Sequence, residues 1–249
     1  MEYGVEILML FFFIGMGAAT VDAIAGGGGL IAMPALMSIG VPPAVAVATN
    51  KVGAVAGSFS ASVHFIRHRQ IDPWHIRWMI VMTFIGSLLG GVVLTRLDPA
   101  ILSRLIPFLL IGFALYFIFS PNLGKCDQVA RCSRVAFIGL ICPLLGFYDG
   151  FFGPGTGALM AIVCVLLQGF NLVKATAHAK VLNFTSNVAA LLFFIFFGKI
   201  CWSLGLVMLA GQLVGGYAGA HLAARKGQGL IRLVMVTVTI VISIKLLLS

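Results

Sequence analysis

Apolar stretches separated by short polar segments follow one another along the whole 249-residue chain. They run approximately over residues 4–21, 30–40, 44–66, 75–95, 99–119, 134–149, 157–168, 175–197, 201–222 and 229–248. A membrane-spanning helix needs about 20 mainly apolar residues, so the second and seventh stretches are too short to span comfortably. Each is expected to form a hairpin with the stretch before it.

Two glycine-rich loops, each opened by an aspartate, form the tips of these predicted hairpins. One loop begins at Asp22 and the other at Asp149. The hairpin glycines are Gly26, Gly27, Gly28, Gly29, Gly153, Gly155 and Gly157. Paired interruptions at matching places indicate the central site of a transporter. Irregular backbone at membrane depth is tolerated only where it is buried in protein or lines a cavity.

The two halves of the chain resemble each other in the order of their residues. The matched pairs include Asp22 with Asp149, Gly26 with Gly153, Gly28 with Gly155, Gly40 with Gly169, Lys51 with Lys180, Trp74 with Trp202, and Gly86, Gly90 and Gly91 with Gly211, Gly215 and Gly216. An ordered set of this kind indicates an internal repeat. We therefore predict a first transmembrane repeat at 1–120, a cytoplasmic connecting loop at 121–133 and a second transmembrane repeat at 134–249.

Composition supports a membrane protein, because 61% of the residues are hydrophobic and only 9% are charged. A soluble domain has about a quarter charged residues. The long apolar stretches favour helices over a β-barrel. We predict an all-α integral membrane protein with about 8–10 transmembrane or re-entrant helices in two inverted repeats. Glu2 and Glu6 lie at the start of the chain, and no basic residue precedes the first apolar stretch. A secretory signal typically begins with basic residues, so this start is not typical of one.

The net charge of +9 is interpreted as a topology signal and not as a sign of nucleic-acid binding. Five elements in each half would give the halves opposite orientations. Most of the basic residues then fall on one face, which should be cytoplasmic: Arg67, Arg69, Arg77, Lys125, Arg131, Arg134, Lys174, Arg225, Lys226 and Arg232. Both termini are predicted to lie outside.

Lys51 and Lys180 are the main candidates for a substrate-binding site. Lys51 follows a helix start at Pro42-Pro43 and lies roughly 10 Å into that helix, and Lys180 lies at a similar depth in the other half. An ionisable residue inside a membrane protein is costly and suggests function. The alternative is a purely structural ion pair, for which Asp22 and Asp149 are the natural partners.

Polar neighbours of the two lysines extend this candidate site. Thr49 and Asn50 precede the first lysine, while His178, Asn183 and Asn187 lie near the second. Lys180, Asn183 and Asn187 share one helical face, which either lines a substrate path or holds helices together. His178 either carries a proton or is a hydrogen-bonded interior histidine.

The glycine loops offer backbone N–H groups at the starts of the helices that follow them, where anions are favoured. Thr156 lies in the second of these loops and is included among the candidate substrate-binding residues. Lysines beside helix N-termini suit an oxyanion such as sulfite, a sulfonate or a carboxylate. Asp22 and Asp149 either neutralise the lysines when no substrate is bound or carry a coupling proton.

Catalytic motifs were not found: the chain has no HExxH, GxSxG or P-loop sequence. We therefore expect no enzyme activity and no cofactor, with an ion gradient driving any pumping. The five cysteines have no metal-site spacing, although a redox or metal role for Cys126 and Cys132 stays open. A channel or a scaffold subunit without coupled transport is the alternative function.

Several of these motifs together resemble the TauE/SafE sulfite-exporter family. They are the stretch from Asp22 to Gly29 leading to Pro34-Ala35-Leu36, then Ala48-Thr49-Asn50-Lys51, the loop from Asp149 to Gly157, and Ala175 to Lys180. The resemblance covers nearly the whole chain. It implies a multi-pass transporter of the bacterial inner membrane that moves sulfur-containing or related organic anions by secondary transport.

Overall fold

The computed structural model describes residues 3–96 and 126–248, with side chains as far as residue 226. Regular structure in these ranges is entirely helical, which confirms the all-α prediction. Five of the helices are long and apolar enough to cross a membrane, so the chain is a multi-pass membrane protein. The predicted stretch 99–119 lies outside the described residues.

Eight helices occupy the described ranges and largely follow the predicted stretches. They are α1 (Val5–Ala25), α2 (Gly29–Ser38), α3 (Pro43–Arg67), α4 (Arg77–Arg96), α5 (Arg134–Phe151), α6 (Thr156–Gln168), α7 (Leu172–Phe197) and α8 (Trp202–Leu248). α5 contains a π-helical turn at Phe137–Ile141. Pro143 lies just after this turn and lacks the N–H group that a regular α-helix would use there, which accounts for the irregularity.

The last helix differs from the prediction. Stretches 201–222 and 229–248 were expected to be separate, but α8 continues without a break from Trp202 to Leu248. No proline occurs between these stretches, and a glycine alone costs a helix only about 1 kcal/mol. The boundary at 222–229 is therefore wrong. Because the helix does not reverse there, the structure does not show the predicted return of the chain across the membrane between these stretches. The side of the membrane on which the C-terminus lies stays a prediction.

The starts of α3 and α7 place the two lysines at the same depth in their helices. Pro43 opens α3 at a position where a missing N–H group has no cost. Asn171 caps α7 by accepting a hydrogen bond from the Lys174 N–H group at 3.0 Å. Lys51 and Lys180 each lie eight residues after the first residue of their helix, or about 12 Å along it.

The short helices α2 and α6 follow α1 and α5 through tight reversals, as the hairpin prediction required. Gly26 ends α1 in the left-handed conformation, with φ at 79° and its N–H group bound to the Asp22 carbonyl oxygen at 2.7 Å. In the second hairpin, Gly153 and Gly155 have φ angles of 93° and 78°. A residue with a side chain rarely adopts this conformation, which explains the glycines at both tips.

Helix α4 packs closely against α5 through glycines one turn apart. A Cβ atom on Gly86 would lie 2.1 Å from the carbonyl oxygen of Pro143. A Cβ atom on Gly90 would lie at the same distance from the carbonyl oxygen of Phe147. Only glycine permits this approach, as is common between helices in membranes.

Helix α8 packs against α1 in the same way. A Cβ atom on Gly215 would lie 2.0 Å from the carbonyl oxygen of Met16. When the two halves are aligned on Asp22 and Asp149, Met16 corresponds to Pro143. Gly215 approaches Met16 as Gly86 approaches Pro143, so Gly215 is the counterpart of Gly86. The sequence alignment matched Gly86 with Gly211 instead, one helical turn earlier.

Two apolar clusters form the core and leave a polar region between them. One cluster includes Phe65 near the end of α3 and Ala175 near the start of α7. The other includes Ala46 near the start of α3 and Phe194 near the end of α7. The helices run past each other in opposite senses, and their buried polar residues fall between the two clusters.

Candidate functional site

Lys51 and Lys180 are both buried, with 1% of each residue exposed. They lie on α3 and α7, which pack against each other. A buried ammonium group is unfavourable unless it is paired and hydrogen-bonded. Both amines have such partners, and these partners define the candidate site.

The Lys51 amine pairs with Asp149, the aspartate that opens the second glycine loop. Its Nζ atom lies 2.9 Å from Asp149 Oδ1 and donates a hydrogen bond to Asn187 Oδ1 at 2.8 Å. The other carboxylate oxygen of Asp149 accepts a hydrogen bond from the Ser186 hydroxyl. The side chains of Lys51 and Asp149 are 2% and 1% exposed, so this pair is sealed from solvent.

The Lys180 amine pairs with Asp22, the aspartate that opens the first glycine loop. Its Nζ atom lies 2.9 Å from Asp22 Oδ2 and also donates to the backbone carbonyl oxygen of Asp22. Asp22 Oδ1 accepts a hydrogen bond from the Gly28 N–H group at 3.2 Å, at the start of α2. The Asp22 side chain is 22% exposed, so this pair is more open than the other.

The ion pairs cross between the two halves of the chain. Each lysine contacts the loop aspartate of the other half, so Lys51 pairs with Asp149 and Lys180 with Asp22. The sequence analysis named both aspartates as possible partners without assigning either of them to one lysine. Lys51 and Asp22, which belong to the same half, do not pair. The hairpin tips reach across to the helix of the opposite half, which sequence order alone does not reveal.

The two hairpin tips also contact each other through their backbones. The Ala158 N–H group donates a hydrogen bond to the Gly26 carbonyl oxygen at 3.3 Å. A Cβ atom on Gly26 would lie 1.9 Å from the Ala158 nitrogen, and one on Gly157 would lie 3.0 Å from Lys180 Nζ. A Cβ atom on Gly29 would lie 2.9 Å from the Pro154 Cα atom. The glycines therefore let the tips meet beside the lysines.

A cavity of about 30 Å³ lies among these groups. Its lining brings together most of the predicted residues: Asp22, Gly28, Gly29, Asn50, Lys51, Asp149, Gly153, Gly157, Asn183 and Asn187. The volume suffices for about one or two water molecules. An oxyanion with several heavy atoms therefore needs a rearrangement of the ion pairs before it can bind here.

Two polar residues near the lysines were missed in the sequence. Gln212 on α8 lines the cavity and is 5% exposed. Ser58 on α3 accepts a hydrogen bond from the Asn187 side-chain amide at 3.4 Å. Ser58 lies seven residues after Lys51, as Asn187 does after Lys180. The helical-face rule that pointed to Asn187 in the second half would therefore have pointed to Ser58 in the first half.

Lys180 is not in the lining of this cavity, but its partner Asp22 is. Three of the other predicted polar residues lie apart from the cavity. Thr49 accepts a hydrogen bond from the Cys201 N–H group at 3.0 Å. Thr156 donates from its hydroxyl to the Gly153 carbonyl oxygen at 2.7 Å and stabilises the hairpin turn. His178 lines a different cavity and its Nδ1 atom donates to the Lys174 carbonyl oxygen at 2.8 Å. The other hairpin glycines, Gly26, Gly27 and Gly155, belong to the tips but do not line the cavity.

Within the part of the chain that the structure describes, no group of three or more His, Cys, Asp or Glu residues could hold a metal ion. All five cysteines are free, and Cys126 is exposed. The central site presents paired charges, amides and backbone N–H groups.

Known proteins similar to this chain are named as probable membrane transporters. A probable membrane transporter protein of Haemophilus influenzae is 46% identical over 99% of this chain and 96% of its own length. The probable membrane transporter protein YfcA of Escherichia coli K12 is 46% identical over 97% of this chain and 90% of its own. The probable membrane transporter protein YunE of Bacillus subtilis is 23% identical over 96% of this chain and 97% of its own.

No solved structure matches the chain significantly. The family model described as sulfite exporter TauE/SafE matches residues 11–246, which is nearly the whole chain. Together with the relatives at 46% identity, this match shows that the chain is a member of the TauE/SafE family of membrane transporters.

Proposed function

We propose that this protein is a secondary transporter that moves a small oxyanion, such as sulfite or a sulfonate, across the bacterial inner membrane by alternating access. The observation that carries the proposal is the environment of the Asp22 carboxylate. One of its oxygens contacts the Lys180 amine, and the other accepts from the Gly28 N–H group. An amine and a helix N-terminus together are a typical anion-binding arrangement.

The Asp22 carboxylate thus acts as an internal anion in the place where a substrate anion would bind. A sulfite or sulfonate group presents similar oxygens to the same donors. Because the cavity beside the pair has only about 30 Å³, carboxylate and substrate exclude each other. Substrate binding therefore requires that Asp22 leave Lys180.

Protonation of Asp22 would make this exchange favourable. A neutral carboxyl group loses its attraction for the amine, and the amine can then hold the substrate anion instead. Asp22 suits this role better than Asp149, because 22% of its side chain is exposed against 1% for Asp149. Proton and anion would then bind together, which gives symport of a proton with the anion.

The second ion pair has a structural role in this scheme. Lys51 and Asp149 are held by Asn187 and Ser186 and are sealed from solvent. Their contact fixes the second hairpin against α3, while the first hairpin moves with Asp22. Equivalent glycine contacts between α4 and α5 and between α1 and α8 support two matched bundles that rock around the site.

The proposal is tested by flux in liposomes that contain the purified protein. We expect uptake of labelled sulfite or of a small sulfonate to rise with an inwardly directed proton gradient. The wild-type protein is compared with Asp22→Asn, which carries a permanently neutral side chain. This variant should still exchange anion for anion while losing the response to the proton gradient.

Anion flux that ignores the proton gradient in the wild-type protein would contradict the coupling role of Asp22. Flux that never saturates with anion concentration would indicate a channel. Protein that carries no anion of this class in any gradient would contradict the proposed substrate class.

A further inference from the structure

A second and larger cavity, of about 420 Å³, lies at the end of the bundle where α3 ends and where α4, α5 and α7 begin. It shares no lining residue with the central cavity. Its lining combines cationic, amide and carboxylate side chains with apolar ones. The transport mechanism proposed above makes no use of it.

The second cavity lies on the far side of α7 from the lysine site. Lys174 and His178 both line it, and they are four residues apart, on one face of the helix. Lys180 follows His178 by two residues, which turns it by about 200° around the helix axis. The cavity is therefore a separate pocket and not an entrance to Lys180.

Cations predominate in the lining of this pocket. Arg69, Arg134 and Lys174 contribute positive charge, against the single carboxylate of Asp72. The nearest acid to Lys174 outside the lining is Asp127, at 3.9 Å with both side chains about half exposed, which makes a weak pair. The pocket thus has an excess of positive charge that suits an anion.

The Arg134 guanidinium group is held in a defined orientation. Its Nη1 atom lies 2.9 Å from His75 Nε2, and its Nη2 atom donates to the His75 carbonyl oxygen. The histidine nitrogen accepts here, because arginine can only donate. A guanidinium group fixed in this way has further N–H groups for a planar or tetrahedral oxyanion.

The side-chain amide of Gln70 supplies a second, independent indication of a ligand. Its Oε1 atom is buried and accepts no hydrogen bond from the described part of the chain. A buried acceptor without a donor is unfavourable in the folded protein. Gln70 lines the same pocket as the three cations, although solvent does not reach its Oε1 atom. A rotation of the Gln70 side chain into the cavity would let this oxygen accept a hydrogen bond from a ligand that carries a donor beside its anionic group.

We propose that this pocket binds a phosphate ester that carries a free hydroxyl group, such as a glycerophosphoryl group. The phosphate would contact Arg69, Arg134 and Lys174, and a hydroxyl would donate to Gln70 Oε1. The ligand is either the headgroup of phosphatidylglycerol or a soluble glycerol phosphate, since both present the same atoms. Basic pockets between membrane helices commonly hold anionic headgroups of this kind.

The test uses the purified full-length protein after delipidation. Native mass spectrometry counts the phosphatidylglycerol molecules that remain bound against an excess of phosphatidylcholine. The melting temperature with added glycerol 3-phosphate or inorganic phosphate shows whether a soluble phosphate binds and stabilises the protein. The variants are Arg69→Gln and Lys174→Gln, with Arg67→Gln as the matched control, because Arg67 is exposed near the same end of α3 but does not line the pocket.

We expect one tightly held phosphatidylglycerol per chain, with affinity reduced about tenfold or more in either pocket variant and unchanged in Arg67→Gln. Stabilisation by glycerol 3-phosphate with the same dependence on the variants, without retained lipid, would assign the soluble source and still support the site. Equal loss of binding in Arg67→Gln would show general surface attraction and overturn the proposal. Absence of both lipid retention and stabilisation would also overturn it.

Discussion

At the scale of single residues, the two ion pairs differ in how much solvent reaches their carboxylates. Asp149 is sealed, whereas about a fifth of the Asp22 side chain is exposed. Removing one member of a sealed pair leaves a charge in an apolar interior. The same change at a more open pair is less harmful, because water can reach the remaining group. The two lysines should therefore respond differently to the same substitution.

For Lys51→Met we expect a loss of folding stability of about 3–5 kcal/mol, because Asp149 would remain buried without its cation. The double variant Lys51→Met with Asp149→Asn should regain most of that loss. Thermal melting of protein in detergent measures both. Lys51→Met with Asp22→Asn is the matched control and should not be rescued, because these residues are not paired. Equal rescue by both double variants would contradict the crossed pairing.

For Lys180→Met we expect protein that folds and inserts but no longer carries the anion. The Asp22 carboxylate would keep its contact with the Gly28 N–H group and with solvent. Melting temperature and liposome flux are measured on the same preparation. Flux at the wild-type rate in this variant would show that Lys180 is not an anion ligand.

At the scale of structural elements, the hairpin tips depend on the absence of side chains. Gly26→Ala should destabilise the protein by at least about 2 kcal/mol, because φ is 79° and a Cβ atom would meet the Ala158 nitrogen. Gly17→Ala in the same helix is the control, since no atom lies within 4 Å of its Cβ position. Size-exclusion profiles and melting curves compare the two. A Gly26→Ala protein as stable as Gly17→Ala would contradict the tip contact.

Several helices were predictable because their signals are local. Pro42-Pro43 marks the start of α3, and long apolar stretches mark α1, α4 and α7. The depth of Lys51 and Lys180 follows directly from these helix starts. The polar stripe of Asn183 and Asn187 follows from helical spacing, and both residues line the central cavity.

Other features depend on contacts between distant segments and could not be derived in the same way. The pairing of Lys51 with Asp149 depends on how the second hairpin reaches α3. His178 was expected beside Lys180, but a helix places residues two apart on nearly opposite faces. Gln212 gave only a weak signal, as one polar residue within the apolar α8. The continuity of α8 shows how poorly glycines alone mark a helix end.

At the scale of the whole molecule, the orientation of the chain in the membrane is open to direct test. Reporter fusions at residue 130 should lie in the cytoplasm, because most of the basic residues fall on that face in the predicted topology. A fusion after Ser249 should lie outside if each half has an odd number of elements. The unbroken course of α8 makes this second fusion the more informative one. A cytoplasmic C-terminus would contradict the antiparallel relation of the halves.

The crossed ion pairs also have a consequence for how such a chain could arise. Lys51 and Lys180, the two buried lysines of the central site, each have their counterion in the other half. If the chain arose by duplication of a half-length gene, the ancestral polypeptide could have neutralised its buried lysine only by meeting a second copy of itself. Dimerisation would then have preceded the fusion of the two genes. In the fused chain, neither half could lose its lysine or its aspartate without leaving a charge of the other half unpaired.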